Sequence, residues 1–100
     1  MLNKDPVWPA ENMLMLKRFC AVTFPTTTGA IQAEEILKEL GTLPFMIMPI
    51  PSSISAGCGL SIKTTIECGE ELVALLRKEG VPIGGAFEID KETKTIDRIS

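Results

Sequence analysis

One hundred residues with ten basic and thirteen acidic side chains, a formal charge of −3, make one ordinary domain with no room for a second core. The charges are scattered, so no basic patch could displace counterions from a nucleic acid, and no run of about 18 apolar residues points to a membrane span. Histidine is absent, which removes Cys–His and Ser–His dyads and imidazole metal ligands. Three cysteines, an odd number, fit a disulfide framework poorly, so the chain reads as a reduced cytoplasmic protein with free thiols, no metal and no cofactor.

Residues 1–16 begin polar and proline-containing and end apolar at Met13-Leu14-Met15-Leu16; they read as an N-terminal arm. A single domain is expected over 17–100. Lys17 to Phe24 is apolar on both alternations, as in a central strand. Pro25 ends it, and a threonine of Thr26-Thr27-Thr28 is placed to cap a helix. Ala30, Ala33, Ile36, Leu37 and Leu40 form that helix's apolar stripe, and Gly41 stops it.

Leu43 to Ile50 reads as a second strand and Cys58 to Lys63 as a third. Thr64 with Glu67 resembles a capping box for a helix running to about Glu79, where Gly80 ends it. Gly84-Gly85 opens a last main strand, with Phe87 and Ile89 expected inward and Glu88 and Asp90 outward. A tight turn at Lys91–Lys94 would let Thr95 to Ile99 pair back on it.

The order β-α-β-β-α-β predicts an α+β, ferredoxin-like sandwich: a four-stranded antiparallel sheet with two helices on one face. Either Met46 and Met48 or Phe45 and Ile47 should then lie on the open face. The Met13–Leu16 lead or a partner would cover such an apolar patch, and a homodimer through this face is expected.

Ile54-Ser55-Ala56-Gly57-Cys58-Gly59-Leu60-Ser61 is the stretch whose composition the fold does not explain. Two glycines flank the cysteine, and a glycine-rich turn can aim bare amides at a common point, a nest that stabilises an anion. A thiolate is such an anion, and it is the nucleophilic form of cysteine. Ser53, Ser55 and Ser61 offer further hydroxyl donors. The alternative is that Cys58 shares strand parity with Leu60 and Ile62 and simply packs. Cys20, inside an apolar strand, and Cys68, on a helix's core stripe, read as packing residues.

Three segments together, Val22-Thr23-Phe24-Pro25-Thr26-Thr27-Thr28, Pro49-Ile50-Pro51 and Ile54 to Leu60, resemble the selenium/sulfur carrier protein-like family of small bacterial domains. The resemblance spans about residues 18–89. It implies a carrier role, with Cys58 matching the motif cysteine and protein partners that donate and accept sulfur or selenium. The chain departs from the family at Ser52, where a basic residue often follows the Pro-x-Pro turn.

The expectation is therefore transfer of a persulfide or perselenide on Cys58, cradled by Ser55, Gly57 and Gly59. Two rival readings are a non-enzymatic interaction or dimerisation module with a structural Cys58, and a redox sensor in which Cys58 forms a mixed disulfide.

Overall fold

The structure, a computed structural model, describes residues 16–50, 54 and 59–99. The Met13–Met15 part of the lead, Ser53, and Cys58, Ser55 and Gly57 of the expected site lie outside them. The elements are β1 (Arg18–Thr23), α1 (Thr27–Leu40), β2 (Met46–Pro49), β3 (Leu60–Thr64), α2 (Gly69–Lys78), β4 (Gly85–Asp90) and β5 (Thr95–Arg98).

The molecule is α+β, with two helices and one sheet in the order β2-β3-β1-β4-β5, every neighbouring pair antiparallel. The sheet has five strands where the expected sandwich has four, and the fifth is the tail, Thr95–Arg98, which pairs back on β4 as its sequence implied. The Asp90 carboxylate accepts hydrogen bonds from the amides of Glu92 and Thr93, at 2.9 and 3.2 Å. Lys94 takes a positive φ of 58°, and the reversed chain pairs along β4.

The first helix starts and stops where its residues direct. The Thr26 hydroxyl accepts the Gly29 amide at 3.1 Å, and Gly41 at φ 71° donates its N–H to the Leu37 carbonyl. Glu34 and Lys38 pair at 3.4 Å along the exposed side. The second helix begins later than expected. Thr64 stays in β3 and gives its hydroxyl to the Pro44 carbonyl at 2.6 Å, and the Thr65 hydroxyl accepts the Cys68 amide instead. Thr64 is still part of β3 and α2 starts only at Gly69, with Cys68 as its N-cap, so Thr64 lies too far ahead of the helix to cap it and the expected box at Thr64 and Glu67 does not form.

Both helices lie on one face of the sheet. Ala30, Ala33 and Leu37 of α1 and Leu72, Val73 and Leu76 of α2 share one buried cluster with Cys20, Val22, Ile62 and Ala86. Phe45 and Ile47 pack against this side. Met48 therefore takes the other face, which settles the register left open by the sequence.

That second face carries its own smaller cluster of Phe19, Ala21, Ile54 and Ile89, with Leu16, Met48, Ile50 and Phe87 against it. Phe87 and Ile89 thus point away from the helices, opposite to the expected inward direction. Strand alternation separates two faces but does not say which the helices cover, and here Ala86 faces the main core. Leu16, the end of the apolar lead, helps cover this open face, and so does Ile54.

Candidate functional site

The sequence focuses attention on the connection between β2 and β3. Its two ends are clamped together: the Ile50 amide donates to the Gly59 carbonyl at 2.9 Å, extending the hairpin beyond the Pro49–Leu60 pair. Gly59 is an exposed bend residue directly before β3. A Cβ built there would meet nothing within 4 Å among the described residues, and its φ is not in the left-handed region. Neither crowding by the described residues nor a positive φ therefore requires a glycine at 59. What the missing side chain leaves is an exposed backbone at Gly59 itself.

Between these ends, Ile54 is buried to 7% exposure and packs on the open sheet face with Phe19, Ala21 and Ile89. Met48 and Ile50 join them from β2 and its end. Ser61, an expected hydroxyl donor, is fully buried, and its hydroxyl bonds the Met48 carbonyl at 3.3 Å. That hydroxyl serves the hairpin.

The two described cysteines are packing residues, as their neighbours in sequence imply. Cys20 is fully buried in the main core. Burial, with a smaller contribution from the Glu88 carboxylate, pushes its thiol up to about 11, against a slight opposing pull from a backbone hydrogen bond at Phe87. It stays protonated and unreactive at neutral pH. Cys68 is half-buried, stands at the N-cap of α2 without a side-chain capping bond, and packs against the same core. Among the described residues no group of three or more Cys, Asp or Glu is placed to hold a metal ion.

One residue of this face was not singled out by the sequence reading. Lys63, in β3, is only 4% exposed. Its Nζ lies 4.4 Å from the centroid of the Phe19 ring, and the Lys91 Nζ lies 5.7 Å from the same centroid. Burial first, and Lys91 second, hold the Lys63 ammonium below its usual pKa. The available signal was a lone cation between Ile62 and Thr64 in a strand that is otherwise uncharged.

No helix among the described residues is long and apolar enough to cross a membrane. No curated protein and no solved structure matches the chain. The family model described as "Putative Se/S carrier protein-like" matches residues 19–88, from the second residue of β1 to the middle of β4, with the Ser-Ala-Gly-Cys-Gly-Leu run inside the match. The chain belongs to that Se/S carrier protein-like family.

Proposed function

We propose that this domain carries sulfur or selenium as a persulfide or perselenide on Cys58 and passes it between protein partners. The thiolate of Cys58 attacks the terminal sulfur of a donor persulfide. The new S–S bond forms on Cys58 as the donor's S–S bond breaks, and the donor leaves as a thiolate. Delivery repeats the exchange with an acceptor thiolate as the nucleophile, so the atom moves without an added oxidant or reductant.

The observation that carries this reading is the family match over a chain whose two described cysteines both serve packing. Cys58 is then the thiol left for chemistry. The clamped, side-chain-free position at Gly59 supports it, because a partner's persulfide needs close approach to the hairpin mouth. Ser55, Gly57 and Gly59 would supply the donors that hold the anion. Such a thiol works in a reducing compartment, here the cytoplasm. We read the first four strands and the two helices as the ferredoxin-like arrangement, with β5 added at the β4 edge.

The test is loading from a persulfide donor, read by the mass of each cysteine-containing peptide. The wild-type chain should gain one sulfur atom at Cys58, and the Cys58→Ala chain none. Loading retained in Cys58→Ala excludes the role and leaves the interaction-module reading in its place.

A further inference from the structure

β5 forms one edge of the sheet, and all of its residues are exposed. Just past it, the Ile99 amide donates inward to the Ala86 carbonyl at 2.8 Å. Inward and outward bonding alternate along an antiparallel ladder, so Asp97 and Thr95 also bond β4, and the N–H and C=O of Ile96 point outward. Such an edge is a template for a further strand. The opposite edge, β2, ends in Pro49, which has no N–H to offer.

The two faces of β5 differ in chemistry. Asp97 stands directly opposite Glu88 on the side of the sheet that carries Cys20 and the helices. Like charges so placed repel. They share a cleft of about 360 Å³ with Asp90, walled also by Arg18, Ile66 and Thr95. Arg18 meets Asp90 at 3.6 Å, but among the described residues neither Glu88 nor Asp97 has an ion pair. On the other face Ile96 lies opposite Ile89 and is 36% exposed. A second copy of β5 fits this edge poorly. With the faces kept in common, Ile96 against Ile96 sets Lys94 against Arg98, and Ile96 against Arg98 sets Asp97 against Asp97. The remaining register sets Arg98 against itself. Each places like charges together.

We propose that β5 accepts an extended strand of a different protein, with a lysine or arginine opposite Asp97 that enters the acidic cleft and an adjacent apolar residue that covers Ile96. The added strand gains main-chain hydrogen bonds at the edge, and its cation relieves the Glu88–Asp97 repulsion. Three strands separate β5 from β2, so this surface does not depend on Cys58.

The test titrates the full-length, isotope-labelled chain with a short capped peptide, Thr-Glu-Lys-Val-Lys-Val, read by NMR. Antiparallel pairing sets its first lysine against Asp97 and its first valine against Ile96. The Ile96 amide should shift in a saturable way and exchange more slowly with solvent. A peptide with glutamate for both lysines should bind roughly tenfold more weakly. A peptide methylated on the backbone nitrogens that face β5 should not bind. Asp97→Lys sets unlike charges opposite one another and so does not loosen β5; it should weaken the lysine peptide and favour the glutamate one. No saturable shift at Ile96, or equal binding of the lysine and glutamate peptides, would overturn the proposal, as would binding of the methylated peptide. Ile96 shifts that grow with protein concentration alone would place a second copy on the edge and overturn it as well.

Discussion

Gly69 and Cys20 meet so closely that a Cβ on Gly69 would stand 2.8 Å from the Cys20 sulfur and 3.0 Å from its Cβ. The first turn of α2 is thereby set against the middle of β1, and no larger residue fits between them. Gly69→Ala should destabilise the fold by about 1–3 kcal/mol through overpacking, measured by urea denaturation. Adding Cys20→Ala should cost less in that background than alone, because the second change removes the clash made by the first.

Cys20 also predicts an alkaline weakness. Its thiol titrates near 11 in the folded protein, whereas the unfolded thiol has the ordinary value of 9.0. Between those values the unfolded state sheds its proton while the native state keeps it, so stability falls as pH rises through that window. Urea midpoints compared between pH 8 and 10.5 should drop less in Cys20→Ala than in the wild type. An equal drop in both would show that this thiol does not drive the loss.

Lys63 behaves in the opposite sense. Its folded pKa is lowered, so at neutral pH the native state bears a charge that burial penalises. Lys63→Met keeps the length and the contact with Phe19, and should be at least as stable as wild type at pH 7, by up to about 1–2 kcal/mol. As pH rises toward the usual lysine value the native ammonium deprotonates first, so the wild type gains and the gap should close. A clear loss of stability in Lys63→Met at pH 7 would mean that the contact of the cation with the ring outweighs its desolvation.

At the start of α1, the Thr26 hydroxyl is the acceptor for the Gly29 amide. Thr26→Ala should cost about 1 kcal/mol, and Thr26→Ser should restore most of it. Thermal or urea unfolding of the three proteins checks this directly.

The contrast between α1 and α2 shows what the residues disclose on their own. Thr26, the Ala30–Leu40 stripe and Gly41 are local signals, and the helix they define is the helix observed. The start of α2 depended on a pairing distant in sequence: Thr64 is held in β3 opposite Cys20, so the strand runs past the expected cap and the helix starts only at Gly69. Phe87 and Ile89 do share one side of β4, but it is the open side and Phe87 is only half-buried there, since alternation is symmetric about the sheet. The family segment around Cys58 was legible as composition and motif. Lys63 was not, because its environment is made by Phe19 and Lys91, which reach it only through the pairing of strands.

The central claim is that Cys58 is an accessible, activated thiol, and the pH dependence of alkylation tests it most directly. Native protein would be treated with iodoacetamide across a pH series and each cysteine followed by mass. The account predicts that Cys58 alone reacts quickly, with a midpoint well below about 8.5, while Cys20 reacts only after unfolding. A Cys58 that likewise reacts only in denaturant would contradict the account and make it a packing residue like Cys20.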